Sequence, residues 1–378
     1  MNTKGEQAMP EHSSVNSQAA RLLMDRRKFS DMRVESLDAT PRAADGEVVF
    51  RLSRFALTVN NVTYATFGDA LGYWRFFPTD REGWGQLPVW GYADVAESKV
   101  DGVEAGQRFY GYWPAATHVK VQPGKVGERS FRDEAAHRAE LPEIYNWYQR
   151  TDDDPLHDAQ TEPLHAIYRP LFITAFCLAD FLAENNFFGA ERVVVSSASS
   201  KTAYATAFCI RQHAGIDMIG LTSSGNREFV ENLGLYDNAL AYDDLHSLDL
   251  GTRTIYIDIA GNPQLQAEVH RFFGANLVYD CSVGAAQSLV PPSPPRGLPG
   301  PQPEFFFAPT WIAKRYADWG AGEFNRRSGR ASQAFFDYVA DNGLIELAER
   351  SGLEAAREVL AEMIRGDTDP AAGHVIEL

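Results

Sequence analysis

Cysteine is scarce in this chain of 378 residues: only Cys177, Cys209 and Cys281 occur, far apart and in apolar segments. An odd number of cysteines without a CxxC pair excludes a disulfide framework and a cysteine-rich zinc site. We therefore expect buried structural thiols and a cytoplasmic protein, since the cytosol keeps thiols reduced.

Basic charge and long apolar runs are also lacking. Lys and Arg number 35 against 51 Asp and Glu, which gives a formal net charge of −16 and argues against a nucleic-acid partner. The longest apolar stretches, such as 171–182, contain Asp180 and are too short to span a bilayer. The first twenty residues lack the apolar middle of a signal peptide, so we expect 1–25 to be a disordered polar leader and the protein to have no membrane partner.

The length predicts two domains at about 150 residues each. Residues 26 to about 130 contain short β-favouring segments separated by glycine and proline, which is typical of a small barrel or sandwich. The predicted strands there are 47–57, 89–98, 107–112 and 118–121. The charged stretch 127–162 has few strand signals and is interpreted as a loop-and-helix excursion.

From Pro170 onwards, strands and helices alternate, which predicts a doubly wound parallel sheet. The predicted strands are 191–196, 217–222, 239–242, 254–259 and 275–279, and the predicted helices are 171–185, 201–213, 226–233 and 263–273. The proline-rich stretch 290–303 is predicted to be a surface loop or a flexible lid. Helices over 331–340 and 353–365 and a strand over 373–378 follow.

A buried strand, a run of small residues and a helix start meet at 193–203, VVVSSASSKTA. Small residues let a phosphate approach the backbone, and the helix start offers unpaired N–H groups. The candidate cofactor-binding residues of this turn are Ser197, Ser199, Ser200, Lys201 and Thr202. The GxGxxG fingerprint is missing, and an ordinary strand-to-helix turn with a serine N-cap is the alternative.

The end of the next strand favours NADPH as the cofactor. An NAD site usually places an acid there to bind the ribose 2′-hydroxyl. Here Ser223, Ser224 and Arg227 follow Thr222 instead, and these groups suit a 2′-phosphate. The alternative is that Ser224 or Asn226 caps the helix and Arg227 is solvated.

Four stretches resemble the medium-chain dehydrogenase/reductase superfamily, on its zinc-free quinone-oxidoreductase and enoyl-reductase side. Residues 87–112 resemble its glycine-rich segment, and 192–208 occupy the place of its AxxGxxG turn. Residues 221–234 resemble its TxxSxxKxxxxxxLG strand and helix, and the terminal GHVIEL resembles its closing strand. The chain is most similar to a bacterial branch known as a domain of unknown function.

This resemblance implies a GroES-like β-barrel catalytic domain over 26–165 with 340–378, and a Rossmann dinucleotide-binding domain over 166–339. It also implies a homodimer. The zinc ligands of the superfamily are absent, because 91–94 read GYAD and 61–64 read NVTY, so no metal is expected.

Without a metal, side chains must deliver the proton, and Tyr64 and Tyr73 lie near the positions where the resemblance places catalytic groups. Aromatic packing is the alternative for each. Tyr168 and Arg169 are candidate substrate-binding residues at the cleft between the domains.

The resemblance also indicates cofactor contacts elsewhere. Thr174 stands where the family often has a cofactor-contacting threonine, and Ala260 and Gly261 follow the fourth strand of the Rossmann part. Ser282 and Gly284 follow the fifth, where ligands bind in open α/β sheets.

We therefore expect a zinc-independent, NADPH-dependent reductase of an activated C=C or C=O bond in a moderately apolar small molecule. Two alternatives stay open. One is a non-redox isomerase or C–C lyase that uses a bound nicotinamide, and the other is a non-catalytic NADPH-binding sensor.

Overall fold

The computed structural model describes residues 18–152, 154, 157–213, 215–284 and 297–378. In the first part of the chain the helices and strands are β1 (Ala20–Asp25), β2 (Met32–Ser36), β3 (Val48–Leu57), α1 (Val59–Thr66), β4 (Trp84–Gln86), β5 (Pro88–Ser98), β6 (Arg108–Pro114), β7 (His118–Val121), β8 (Pro123–Gly124), β9 (Ser130–Asp133) and β10 (Trp147–Arg150). They are followed by α2 (Glu162–Glu184), β11 (Arg192–Val195), α3 (Lys201–Ile210), β12 (Asp217–Thr222), α4 (Arg227–Asn232), β13 (Asn238–Ala241), β14 (Thr254–Asp258), α5 (Pro263–Phe273), β15 (Leu277–Ser282), β16 (Glu304–Phe305), α6 (Ala308–Trp319), α7 (Ala321–Asp341), β17 (Glu346–Ser351), α8 (Gly352–Arg365) and β18 (Ala372–Glu377).

The first part of the chain and its last strands build a mixed sheet in the order β17-β18-β3-β5-β6-β10-β9-β8, and β7 pairs with β3. A smaller sheet, β2-β1-β4, lies beside it. The core is aromatic: the Phe50 ring contacts the rings of Phe109, Trp113 and Phe131 at centroid distances of 5.0–5.9 Å. The closing strand β18 returns from the C-terminus to pair antiparallel with β3, as predicted.

Two expectations about this part are wrong. Residues 20–25, placed within the disordered leader, form β1, because Leu22, Leu23 and Met24 are buried there; residues 1–17 lie outside the described residues. The 127–162 excursion contains the strands β9 and β10, which each place one ring in the aromatic core. Phe131 stacks on Tyr148 at 5.0 Å, and this long-range packing determines a strand that local periodicity does not reveal.

The second part of the chain forms a parallel sheet in the order β13-β12-β11-β14-β15-β16. Counted from β11, this is the order 3-2-1-4-5-6 of a Rossmann fold, whose ligands bind outside the carboxyl ends of the strands where the order reverses. The predicted doubly wound sheet is confirmed. The central strands β11, β12 and β14 are largely buried apolar runs, as is typical of a sheet covered on both faces.

The helix α2 connects the two parts of the molecule. Among the described residues it is the one helix that is long and apolar enough to cross a membrane by length and composition, and 56% of its most apolar window is buried inside the fold. It packs on α3, α6 and α7 and on the strands of the first sheet. Of the predicted proline-rich loop, 290–296 lie outside the described residues, and 297–303 contain no helix or strand.

Candidate active site

A cleft of about 1640 Å³ separates the two sheets. Its walls come from α1, β5, β6 and β10 on one side, and from α2, the turn after β11 and the segment 305–310 on the other. Pockets for single small ligands typically have about 300–1,000 Å³. The cleft therefore has room for a dinucleotide and a second small molecule.

The turn between β11 and α3 lies at the floor of this cleft, and all five of its predicted residues line the wall: Ser197, Ser199, Ser200, Lys201 and Thr202. Ser197 adopts a left-handed backbone with a φ of 51°. Ser200 caps α3, since its Oγ accepts a hydrogen bond from the Ala203 amide at 3.3 Å. The amides of Lys201 and Thr202 belong to the first helical turn and have no partner within their own helix.

Close packing explains the small side chains of this turn. Ala198 is fully buried, and its amide donates to the carbonyl of Leu221. A Cβ atom at Gly220 on the neighbouring strand would come within 2.9 Å of the Ala198 Cβ. The turn is therefore pressed against β12, and its outer face is left open to the cleft.

The Lys201 ammonium does not face the turn as a free cation. Its Nζ donates to the backbone carbonyls of Pro370 at 3.0 Å and Ala372 at 2.8 Å, so it connects α3 to the start of β18 and the residues just before it. Burial lowers the pKa of Lys201 to about 8.

The segment after β12 only partly reaches the cleft. Asn226 lines it and donates from Nδ2 to the Ser199 Oγ at 3.2 Å. Ser223, Ser224 and Arg227 lie outside the wall. The Arg227 guanidinium donates to Glu231 at 2.9 Å and lies 3.7 Å from Asp244, with 44% of its side chain exposed.

In the turn after β14, the backbone amides donate to neighbouring protein side chains. The Ser196 Oγ accepts from the amides of Ile259 and Ala260, both at 3.0 Å, and donates to the Asp258 Oδ1 at 2.9 Å. The Gly261 amide also donates to that Oδ1, at 3.0 Å. Ala260 and Gly261 consequently lie outside the cleft wall, contrary to the expectation, while Ile259 lines it.

The next turn and the connecting helix supply further wall residues. Gly284 lines the cleft, whereas Ser282 lies outside the wall and its Oγ accepts from Gln266 at 3.3 Å. Thr174 lines the cleft on α2, and its Oγ1 donates to the Pro170 carbonyl at 3.4 Å.

The two predicted catalytic tyrosines lie side by side in the cleft wall. The rings of Tyr64 and Tyr73 are 4.7 Å apart between centroids, and each side chain is 95% buried. The Tyr64 hydroxyl accepts from the Trp90 indole at 3.0 Å, and the Tyr73 hydroxyl lies 3.3 Å from that of Tyr145. Burial raises the pKa of both tyrosines above the ordinary range, so both phenols keep their protons.

Of the two predicted substrate-binding residues, only Arg169 lines the cleft. Its guanidinium donates to Asp154 and to Gln149, both at 2.7 Å, and lies 4.6 Å above the centre of the Tyr110 ring. The prediction for Tyr168 is wrong, because this residue is fully buried in the core and its hydroxyl lies 2.5 Å from that of Tyr204.

The prediction missed an aromatic wall formed by Trp90, Tyr110 and Tyr145. Trp90 stacks on Tyr110 with ring centroids 5.6 Å apart. The alternation of Phe109, Tyr110 and Gly111 along β6, with Phe109 in the core, is the sequence signal that would have indicated it. Within the described residues, no group of three or more His, Cys, Asp or Glu side chains is arranged to hold a metal ion.

Comparison with protein families finds one model that matches residues 55–369, described as Protein of unknown function (DUF2855). A search of curated proteins finds no match. Several solved structures are similar in fold.

A quinone oxidoreductase from Pseudomonas syringae pv. Tomato DC3000 is 14% identical, with a TM-score of 0.59 over 94% of this chain and 99% of its own. CurA from Vibrio vulnificus, crystallised with NADPH, is 13% identical, with a TM-score of 0.58 over 95% of this chain and 99% of its own. The yhdH oxidoreductase from Salmonella enterica, in complex with NADP, is 13% identical, with a TM-score of 0.54 over 95% and 99%. At these identities the likeness establishes the fold alone.

Proposed function

The chain belongs to the family Protein of unknown function (DUF2855), and we propose that it is a zinc-independent, NADPH-dependent oxidoreductase. In this proposal it reduces an activated C=C or C=O bond of a moderately apolar small molecule. The observation that carries the proposal is the serine-rich turn after β11, which opens into the large cleft at the switch point of the parallel sheet.

The residues of this turn fit a pyrophosphate. The amides of Lys201 and Thr202 are available at the helix start, and the dipole of α3 favours negative charge there. The hydroxyls of Ser197, Ser199 and Ser200 add further donors along the same wall. CurA and the yhdH oxidoreductase, which share this fold, were crystallised with NADPH and NADP.

The choice of NADPH over NADH rests on the end of β12. No acidic side chain stands between Thr222 and Arg227 along the chain, and the Arg227 guanidinium lies 2.9 Å from Glu231 and 3.7 Å from Asp244. Arg227 has 44% of its side chain exposed and is paired with Glu231, also on the surface. Surface ion pairs are worth about 0–1 kcal/mol, so the guanidinium can exchange Glu231 for a phosphate.

When bound, NADPH supplies a hydride from its nicotinamide ring. The chain then has to place the acceptor, exclude water and provide a proton. Tyr64 and Tyr73 hold phenolic protons at the cleft wall, and Thr174 and Gly284 line the wall where the resemblance places the nicotinamide.

Part of the remaining wall is apolar and suits a moderately apolar substrate. It includes the rings of Phe67, Phe305, Phe306 and Phe324 together with Ile312. Phe67 and Phe305 meet across the cleft, with ring centroids 5.6 Å apart. The resemblance to the superfamily further supports a cytoplasmic homodimer, which light scattering of the purified protein tests.

The test is a titration of the purified protein with NADPH and with NADH, followed by the fluorescence of the reduced nicotinamide. We expect tighter binding of NADPH, and we expect Arg227→Ala to reduce this preference about tenfold because charge-assisted hydrogen bonds are lost. Equal loss for both cofactors would contradict the role of Arg227.

The same preparation is then mixed with NADPH and a panel of enones, quinones and ketones. Oxidation of NADPH by at least one compound supports the reductase. Binding without oxidation would favour the sensor or the non-redox enzyme, and absence of binding would overturn the proposal.

A further inference from the structure

We infer that the side-chain amine of Lys201 is a nucleophile that forms a reversible Schiff base with aldehydes and ketones in the cleft. This covalent site goes beyond the proposed function and does not rest on it, because the condensation needs no cofactor. The proposed pyrophosphate site uses the backbone amide of Lys201, whereas the Schiff base would form at the far end of its side chain.

Lys201 differs from the other lysines in what surrounds its nitrogen. The described part of the chain contains six lysines. Five of them have a carboxylate within 4.0 Å: Lys28, Lys99, Lys120, Lys125 and Lys314. In the same part of the chain Lys201 alone lacks such a partner, and its Nζ bonds to two backbone carbonyls instead. Burial of an unpaired ammonium is costly, so these surroundings favour the neutral amine.

The hydrogen bonds of Lys201 match those of a neutral amine. An ammonium has three N–H donors and no lone pair, whereas a neutral amine has two N–H donors and one lone pair. Among the described residues, Nζ makes two hydrogen bonds, at 3.0 Å to the Pro370 carbonyl and at 2.8 Å to the Ala372 carbonyl. Both N–H groups of the neutral form are therefore satisfied, and its lone pair is left for reaction.

The residues around the amine all belong to the cleft wall. Lys201 lines the cleft together with Pro370 and Ala372, and so do the nearby Asp369 and His374. Burial lowers the pKa of Lys201 to about 8, although the Asp369 carboxylate acts in the opposite direction. About a tenth of the amine is therefore neutral at pH 7. A desolvated lysine in such a place is the kind that attacks carbonyl groups.

His374 supplies a group for the proton transfers of the condensation. It is 7% exposed, and its Nδ1 has no hydrogen-bond partner within the described ranges. Burial and the nearby positive charges of Lys201 and Arg350 lower the pKa of His374. The carboxylates of Glu362 and Asp369 act in the opposite direction. The ring is therefore neutral near pH 7 and is able to accept a proton.

The chemical step balances without an oxidant or a reductant. The Nζ lone pair forms a bond to the carbonyl carbon, and an electron pair of the C=O bond moves to the oxygen. A proton then passes from the nitrogen to the oxygen through the His374 ring. The oxygen leaves as water while the nitrogen forms the C=N bond. Amine and carbonyl thus give imine and water, and the addition of water reverses the reaction.

The test treats the full chain with benzaldehyde and sodium cyanoborohydride at pH 7, without NADPH. Cyanoborohydride delivers a hydride to the C=N bond and leaves a stable benzylamine, which peptide mass spectrometry assigns to individual lysines. We expect Lys201 to be labelled at least about tenfold faster than Lys120 and Lys314, because carboxylates hold those two as cations. Both are exposed and Lys201 is partly buried, so accessibility alone would give the opposite order.

Asp369→Asn and Glu47→Gln are the matched variants. The Asp369 Oδ1 accepts from the Ala371 amide, and asparagine keeps this acceptor without the charge. We expect Asp369→Asn to label Lys201 about twofold faster or more, because the carboxylate that favours the ammonium is gone. Glu47→Gln removes the partner of Lys120 and should leave the labelling of Lys201 unchanged.

Labelling of Lys201 no faster than that of Lys120 in the wild type would overturn the inference. Equal labelling of Lys201 in the wild type and in Asp369→Asn would overturn it as well. Because the reaction is run without NADPH, its result is independent of the cofactor titration. Labelling of Lys201 in a protein that does not bind NADPH would support the Schiff-base site while the proposed function fails.

Discussion

At the scale of single residues, the two phenols of the cleft differ in what surrounds their oxygens. The Tyr64 oxygen accepts a hydrogen bond from the Trp90 indole at 3.0 Å. Its own proton therefore remains for donation into the cleft. Tyr73 has the Tyr145 hydroxyl as its neighbour, at 3.3 Å.

We predict that Tyr64→Phe lowers kcat by about 100-fold or more, the range expected for loss of a general acid, and that Tyr73→Phe has a smaller effect. The dissociation constant of NADPH should stay unchanged, since neither hydroxyl contacts the turn after β11. Tyr338→Phe, whose hydroxyl bonds to the Leu233 carbonyl outside the cleft, is the control. Undiminished turnover in both cleft variants would exclude the phenols as the proton source.

Asp258 lies behind the candidate cofactor turn, and it holds its proton more tightly than an ordinary aspartate does. Burial raises its pKa to about 6, although three donors, Ser196, Tyr256 and the Gly261 amide, bond to the Oδ1 atom. Between about pH 4 and pH 6 the folded state binds more protons at this residue than the unfolded state. The contribution of Asp258 to the free energy of unfolding is therefore highest at low pH, and it falls as the pH rises through that window.

We predict that the free energy of unfolding of the wild type falls by about 2 kcal/mol relative to Asp258→Asn between pH 4 and pH 7. The asparagine keeps an Oδ1 that accepts the same three hydrogen bonds and does not ionise. Denaturant unfolding across this pH range measures the difference. Parallel profiles for the two proteins would show that Asp258 has an ordinary pKa.

The site residues show what sequence patterns can predict and what they leave out. The strand-to-helix turn was found because small residues after a buried strand form a local pattern, and all five of its residues line the cleft. Ala260, Gly261 and Ser282 were placed by analogy with strand ends. In the structure the Ala260 amide donates to Ser196 and the Gly261 amide donates to Asp258, while the Ser282 hydroxyl accepts from Gln266. No local sequence pattern contains these contacts.

At the scale of elements, the central claim concerns the unit formed by β11, its turn and α3. Ser200 caps the helix and lines the cleft. Two replacements that both cap the helix but differ in charge therefore test cofactor binding without a difference in helix stability. Aspartate and asparagine both serve well as N-caps. Only aspartate places a negative charge beside the predicted pyrophosphate.

We predict that Ser200→Asp weakens NADPH at least about tenfold relative to Ser200→Asn, because the added carboxylate repels the phosphates at short range. Both variants should keep the thermal stability of the wild type. Equal affinities measured by fluorescence titration would show that no phosphate binds at this turn.

The elements of the second part were predictable because short, largely buried strands such as β11 and β14 alternate with helices there. The helices and strands of the first part of the chain were harder to predict. The strands β9 and β10 have four residues each, and Phe131 and Tyr148 carry most of their burial. The helix α1 is rich in valine, threonine and asparagine, which are weak helix formers, and it begins where the Thr58 amide donates to Asn61.

At the scale of the whole molecule, the cleft exists because β18 returns to the first sheet beside β3 while α2 leads into the second. Lys201 joins these parts by donating from α3 to the carbonyls of Pro370 and Ala372. The candidate cofactor turn, the paired tyrosines and Arg169 thereby face one cavity. Composition and order of elements predicted the two sheets, whereas the aromatic wall between them arises only from their packing.

The most direct measurement is a crystal structure of the protein with NADPH. The account predicts electron density for the pyrophosphate at the amides of Lys201 and Thr202, with the 2′-phosphate near Arg227 and the nicotinamide ring in the part of the cleft that Thr174 and Gly284 line. Density for the cofactor at another site, or a turn after β11 that stays empty at saturating NADPH, would contradict it.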